Sequence, residues 1–299
     1  MVDAQNDIIK IEGLVKRFGD QTVLNGINLD VHPGETMVIM GGSGSGKSTL
    51  LRNMIGTFTP EEGSVKLFGE DLATLNEQGM NDIRKQFGIL FQSGALFQSL
   101  TVAENVALPL EEHTDLDANI IDFMVKIKLE LVGLREAADK YPAQISGGMK
   151  KRAGLARALA LDPKILFYDE PSAGLDPVTS ASIDQLMIDL TQKLGVASVV
   201  VTHEMDSAFT IADRMAMLNK GRMIMVDKRE AYEELRDHPL EGIDELTEEQ
   251  QLIRQFLRGD PEGPMSETHT ENSYEDDLLG PDLGKLHGGR SIQATRRVK

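Results

Sequence analysis

ISGGMKKRAGLARALALDPKILFYDEPSAGLD, Ile145 to Asp176, is the stretch that decides the fold. It opens with a serine and two glycines ahead of a run rich in Ala, Leu and Arg. It then passes into the apolar strand Ile165 to Tyr168, which closes on two acids, Asp169 and Glu170. Upstream, GGSGSGKST at Gly41 to Thr49 follows the continuous apolar run Thr36 to Met40 and leads into helical apolar spacing over Gly46 to Ile55. A GxxxxGK[ST] match alone fits several phosphate-binding classes, whereas both blocks in this order leave few alternatives.

The first block predicts a polyphosphate cradle. Gly41, Gly42, Gly44 and Gly46, interleaved with Ser43 and Ser45, let backbone N–H groups and a helix N-terminus approach negative oxygens closely. Lys47 would reach the β and γ phosphates, Ser48 would offer its hydroxyl to Mg²⁺, and Thr49 would sit beside the α phosphate. Asp169 is the expected Mg²⁺ holder through a water, and Glu170 the group that polarises an attacking water. If the strand continues through both acids, their side chains point in opposite directions and can do different work. His203 follows the apolar strand Ser198 to Thr202, where a side chain emerges at the carboxyl edge of a sheet, within reach of a γ phosphate. The five other histidines have turn or surface settings. Together these groups predict ATP hydrolysis.

Ser146, Gly147 and Gly148 offer a second helix start for phosphate. A chain that already owns one phosphate loop can use this one on ATP held by another copy, which predicts a head-to-tail dimer with two nucleotides between the copies. Read by itself, SGG is equally a serine cap with a glycine turn.

The formal net charge of -17 opposes a long nucleic-acid interface and unaided docking on an anionic membrane. No apolar run approaches the roughly 18 residues of a spanning helix. Asp3 and Asp7 near the start, without a basic and then apolar leader, predict a cytosolic chain. The absence of cysteine excludes disulfides and Cys-based zinc sites.

Strand signals at Ile8 to Val15, Thr36 to Met40, Ser64 to Leu67, Ile165 to Tyr168, Ser198 to Val201 and Met215 to Leu218 alternate with helical stretches that include Thr179 to Leu194 and Ser207 to Ala212. The alternation predicts an α/β fold with a mostly parallel sheet. His32 to Glu35 reads as the turn between the first two strands, and Asn219 to Gly221 as a hairpin turn into Met223 to Val226. Helical spacing dominates about 93–160, a helical insertion. Lys228 to Arg258 reads as acidic helical pieces broken by Pro239, and the polar segment after Pro264 reads as disordered. The expected organisation is an ATPase domain over 1–227, a helical extension over 228–265 and a tail over 266–299.

Gly41 to Thr49, Gln92, Ile145 to Met149, Ile165 to Glu170, Ser172 to Asp176 and His203 resemble the ordered motifs of ATP-binding cassette (ABC) ATPases. The resemblance implies a P-loop NTPase core with an antiparallel β subdomain and an inserted helical subdomain. It implies that Gln92 senses the γ phosphate and Mg²⁺, that Asp176 communicates across the dimer, and that Phe18 stacks on adenine. Phe18 can otherwise be a strand-end core residue. The family signature usually reads LSGGQ; Ile145 and Met149 depart from it, and a thioether at 149 cannot donate a hydrogen bond.

Within that superfamily, ISGGMKKRAGLARA, the run FGILFQSGALFQSLTVAENVALPL from Phe87 to Leu110, and IRQFLRGDPEGP resemble the ATPase of Mla and Mce-type phospholipid transporters. That implies a permease, an MCE-domain lipid-binding partner, and a place on the cytoplasmic side of the inner membrane. The small and then apolar residues after Gln92, ending in Leu96 and Phe97, suggest a groove for a partner helix, or ordinary packing of the helical lobe. A small-solute importer and an ATP-gated envelope scaffold remain the competing functions.

Overall fold

Apolar alternation interrupted by glycine bends builds the first sheet. The computed structural model describes residues 7–239 and 242–265. Strand β1 (Ile9–Phe18) pairs antiparallel with β2 (Gln21–Val31), from Ile9 opposite Val31 to Phe18 opposite Gln21. The sequence reading missed β2, placing only the turn at His32 to Glu35 before the next strand. The reason is a bulge: Leu14 faces Ile27 and Val15 faces Asn25, so Gly26, at φ 71°, is skipped and the two-residue period breaks there.

Next come β3 (Thr36–Met40), helix α1 (Lys47–Met54), and the short antiparallel additions β4 (Glu62–Leu67) and β5 (Glu70–Asp71). All five residues of β3 are buried, as expected for a strand covered on both faces. Helix α2 (Glu77–Arg84) leads to β6 (Phe87–Leu90), a strand the sequence reading also lacked. The helical subdomain follows as α3 (Val102–His113), α4 (Ala118–Leu131) and α5 (Gly147–Ala158). Thr101 and Glu104 cap α3 reciprocally, and the start of α5 is capped by Ser146, whose hydroxyl accepts from the Met149 N–H at 3.2 Å.

The chain returns to the core through β7 (Ile165–Asp169), α6 (Pro177–Leu194), β8 (Ala197–Val201), α7 (Met205–Ile211), β9 (Arg214–Asn219) and β10 (Arg222–Lys228). Two sheets result: an antiparallel one ordered β2-β1-β4-β5, and a six-stranded one ordered β10-β9-β3-β8-β7-β6. In the second sheet every pairing is parallel except β9 with β10. This is the expected α/β architecture with its antiparallel subdomain. One continuous apolar core joins both sheets, with Leu50, Leu51 and Met54 of α1 packed among Leu24, Ile39, Phe167 and Val199. Each such fully buried side chain stabilises the fold by about 1.5–3 kcal/mol.

Helix α8 (Arg229–Asp237) and helix α9 (Glu248–Arg258) follow, and the chain divides into two compact units, one up to Glu234 and one from Leu235. In the second unit, α9 starts on a Thr247–Gln250 capping box and stops at Gly259, φ 68°. Its Arg254, almost fully buried, donates to the His238 carbonyl at 2.9 Å and pairs with Asp260 at 3.3 Å. The expected disordered tail, 266–299, lies outside the described residues. No helix among the described residues is long and apolar enough to cross a membrane.

Candidate functional site

The parallel strands β3, β8, β7 and β6 lie side by side, so their carboxyl ends open onto one edge, where ligands of open α/β sheets bind. The Gly41–Thr49 loop leaves β3, Asp169 and Glu170 end β7, His203 lies just past β8, and Gln92 lies just past β6. Leu90 is in register with Tyr168, so β6 and β7 end at the same edge.

Local conformation explains the loop's composition. At Gly41 a Cβ would stand 2.1 Å from the Leu218 carbonyl oxygen and 2.8 Å from Ser45 Oγ. Gly46 caps α1 in the left-handed region, φ 109°, with no side chain bonded to the first turn. The opening N–H groups of α1 therefore have no side-chain acceptor, and Ser45 Oγ is buried with no hydrogen-bond partner. Lys47 Nζ donates to the Gly41 and Gly42 carbonyls at 2.7 and 3.1 Å, arching over the loop. Burial lowers the Lys47 pKa, while Glu170 and Asp169 oppose that shift. Unclaimed donors, a hydroxyl awaiting a partner and an ammonium over glycines together fit a polyphosphate.

Glu170 takes φ 50°, so the strand does not run through both acids as expected. Their side chains diverge through a left-handed turn instead. The Glu170 carboxylate meets His203 Nδ1 at 2.9 Å and accepts from the His203 N–H at 3.4 Å. Asp169, half-buried, is pushed above the ordinary carboxylate value by burial and then by the charge of Glu170, with Arg52, Lys151 and Lys47 pulling the other way. A buried carboxylate destabilised by its neighbour fits a divalent cation. Ser48, exposed at the helix start, and Gln92 could complete such a site.

The Asp169 shift gives a stability prediction with a definite sign. A carboxyl whose folded pKa is raised costs stability while charged, and the cost fades as pH falls from the raised value to the ordinary 3.8. Asp169→Asn is therefore expected to raise the melting temperature of nucleotide-free protein near pH 7.5 by a few degrees. The gain should vanish in acid across that window, as read by differential scanning calorimetry. A lower melting temperature at pH 7.5 would refute the electrostatic reading.

Gln92 is exposed, and no hydrogen bond ties it to Lys47, Asp169 or Glu170 among the described residues. Its loop belongs to the helical subdomain: Arg157 of α5 donates to the Ala95 and Gly94 carbonyls at 2.7 and 3.2 Å. Buried Asn105 of α3 accepts from the Phe97 N–H at 2.8 Å and donates to the Phe97, Leu100 and Thr101 carbonyls. Ser146 and Gly147 are exposed, while Gly148 packs so tightly that a Cβ would lie 2.5 Å from Thr179 Cγ2. Asp176 caps α6 through the Val178 and Thr179 N–H groups, and the Thr179 hydroxyl, followed by the Thr179 and Val178 N–H groups, holds its carboxyl below the ordinary range.

Phe18 is 45% exposed and so is not a core residue. Phe58 meets it edge-on, with ring centroids 5.3 Å apart, and Lys16 lies over both rings. Sequence reasoning missed Phe58 and Lys16, which come together only through the β1–β4 pairing and the loop before it. It also missed Lys151, 5% exposed, whose Nζ donates to the Glu170 carbonyl at 2.9 Å. The signal was present: Gly148, Lys151 and Leu155 share one buried stripe of α5. Asp7, Asp30 and His32 also cluster, but the two carboxylates face opposite ring nitrogens and Asp30 is paired with Arg214. That arrangement is an ion-pair bracket between strands, not a metal cage.

A family model described as ABC transporter matches residues 24–173, half of the chain, from β2 past both acids. The chain belongs to the ABC transporter family. A relative from Mycobacterium leprae, "Probable ribonucleotide transport ATP-binding protein mkl", is 40% identical over 94% of this chain and 78% of its own length. "Intermembrane phospholipid transport system ATP-binding protein MlaF" from Haemophilus influenzae is 37% identical over 91% of this chain and 98% of its own length. The protein of that name from Escherichia coli K12 is 38% identical over 87% and 92%. Among solved structures, the dimeric ATP-binding cassette MJ0796 in a post-hydrolysis state with ADP and Pi has a TM-score of 0.68 at 32% identity, over 74% of this chain and 98% of that one. The cassette cbiO1 from Clostridium perfringens gives 0.71 at 30% identity, over 76% and 90%. This ABC cassette is accordingly an ATPase.

Proposed function

We propose that this cassette drives a transporter that moves phospholipid between the inner membrane and the outer envelope. In this reading two copies work on a membrane permease, from its cytoplasmic side, with an MCE-type lipid-binding partner. The observation that carries the proposal is the length of the similarity to the phospholipid-transport ATPase of Haemophilus influenzae. It covers 98% of that protein, against 78% of the mycobacterial one, and 91% of this chain, and so extends beyond the cassette into the region after β10. The mycobacterial relative named for ribonucleotide transport supports a second reading, a small-solute cargo. The deciding experiment recovers the intact complex from native membranes through this chain and identifies its proteins and lipids by mass spectrometry. A permease, an MCE protein and phospholipid are expected. A permease with a small-solute receptor would overturn the cargo and leave the ATPase standing.

The residue roles proposed for hydrolysis follow the geometry. Gly41 to Thr49 would hold the phosphates, Phe18 would stack on adenine, and Ser146, Gly147 and Gly148 would contact the nucleotide of the second copy. Ser48, Asp169 and Gln92 would hold Mg²⁺, which when bound neutralises phosphate charge. Glu170, oriented by His203, would take a proton from water, and Lys47 would turn from its loop carbonyls to the phosphates. Lys47→Ala is expected to weaken ATP binding by about tenfold or more, since a charge-assisted contact in a partly buried site is lost. Fluorescent-nucleotide titration checks this, and unchanged affinity would remove Lys47 from the binding site.

A groove of about 560 Å³ between α2, β6, α3 and α5 is the proposed permease contact. Phe87, Ile89, Phe91 and Pro109 form apolar walls, and Arg84 and Lys85 supply charge. Leu96 and Phe97 do not line it: Leu96 is buried and Phe97 is 53% exposed. Introducing Asp at Ile89 is expected to abolish co-purification with the permease while leaving basal hydrolysis measurable. Intact assembly would count against the groove.

A further inference from the structure

Lys151 occupies an unusual position for a lysine. Its side chain is almost fully buried in α5, its Nζ donates to the main-chain carbonyl of Glu170 at 2.9 Å, and among the described residues no carboxylate forms an ion pair with it, although Glu170, Glu204 and Asp169 act on it by charge. Burying an ammonium against one carbonyl costs free energy that Leu or Met in this helical stripe would not incur. The residue it grips is equally unusual. Glu170 is a non-glycine residue in the left-handed region, φ 50°, a strained conformation for a side chain with a Cβ. It persists because it is held from several sides. Its N–H donates to the Val201 carbonyl at 2.9 Å, its carbonyl accepts from Lys151 and from the Ala173 N–H at 3.3 Å, and its carboxylate meets His203. Three of these restraints come from the core and its own turn. Among the described residues, only Lys151 comes from the helical subdomain.

We propose that Lys151 is a positioning residue that ties the signature helix to the catalytic carboxylate of the same chain. It would set the turn at Glu170 according to where α5 stands. Ser146 to Gly148, at the start of α5, lie little more than one helical turn from Lys151, and a helix segment that short moves as a rigid body. Engagement of that helix start by the second copy's nucleotide therefore reaches Glu170 through one hydrogen bond, so the carboxylate becomes aligned when the opposite site is filled. The inference rests on the reading of Glu170 as the water-polarising group and of Ser146 to Gly148 as a contact across the dimer.

The test uses the full chain carrying Lys151→Met, Lys151→Gln or Lys151→Arg, with steady-state hydrolysis, nucleotide affinity and ATP-driven dimerisation measured alongside wild type. Met and Gln are expected to lower kcat by about tenfold or more, since a catalytic group misplaced by about 1 Å loses rate on that scale. KM for ATP should stay within about twofold. Arg, which retains the charge and most of the reach, should recover a large part of kcat. In a Glu170→Gln background, Lys151→Gln should leave ATP-driven dimerisation intact, because the bond acts on the carboxylate and not on the nucleotide sandwich. Wild-type kcat in whichever neutral variant folds would overturn the proposal. So would a parallel rise in KM, or loss of dimerisation in the double variant, each of which assigns Lys151 to the binding surface or to folding. Failure of the underlying reading would look different: Glu170→Gln alone would keep hydrolysing ATP.

Discussion

Replacing Glu170 by glutamine is expected to leave ATP binding intact and to cut steady-state hydrolysis by about 10²-fold or more, the usual worth of a general base. The amide has the shape of the carboxylate, and its oxygen can still accept from His203 Nδ1, now 2.9 Å from Glu170 Oε1. The proposed phosphate contacts belong to a different segment, Gly41 to Thr49, which among the described residues shares no side-chain hydrogen bond with Glu170 or His203, although the Glu170 charge acts on Lys47. The variant should therefore accumulate in an ATP-loaded state, and size-exclusion chromatography with ATP should show two-copy particles. Phosphate release near the wild-type rate would eliminate Glu170 as the base. Loss of ATP binding would mean that its role is structural.

The second large effect is expected at Gly41. A Cβ there would stand 2.1 Å from the Leu218 carbonyl oxygen, which belongs to β9, a strand held between β3 and β10. It would also stand 2.8 Å from Ser45 Oγ, and the backbone sits at φ 154°. Neither the strand nor the loop can yield cheaply. Gly41→Ala should destabilise the protein by about 2–4 kcal/mol and remove nucleotide binding with it. Gly44→Ala supplies the control. At φ 72° it is strained, but nothing lies within 4 Å of its Cβ position, so a loss of only about 1 kcal/mol is expected. Urea unfolding of the two variants separates the contributions. Equal losses would show that backbone strain, and not the clash with β9, governs the loop.

The parts of this architecture that sequence made legible are those whose chemistry is local. A glycine loop between an apolar strand and a helix, or an apolar strand ending in acids, is defined by neighbours in the chain, and Gly41–Thr49, Asp169 and Glu170 fall on one sheet edge as expected. What escaped was tertiary or aperiodic. Strand β2 was hidden by the bulge at Gly26, and β6 is four residues long with Gly88 in it, where a Cβ would meet the Ala158 carbonyl oxygen at 2.2 Å. Lys151 looked like one more cation in MKKR because its burial depends on where α5 lies against the Glu170 turn. Phe58 gained its place beside Phe18 only from strand pairing. The direction of Glu170 was expected from strand alternation, whereas a left-handed turn supplies it.

The order of the six-stranded sheet also bears on how the protein comes into being at the ribosome. Strand β3, which carries the phosphate loop, finds its neighbours only in β8 and β9, about 160 residues further along. At about 5–20 residues per second, the wait between their synthesis is on the order of ten seconds or more. During that interval a strand that is wholly buried in the folded sheet has none to join, while the antiparallel β1–β2 hairpin can already pair. The proposed phosphate loop therefore lacks both of its neighbouring strands until the chain has emerged past Asn219. Any stabilisation by a nucleotide held on that loop would then come late, to chains that have already closed the sheet.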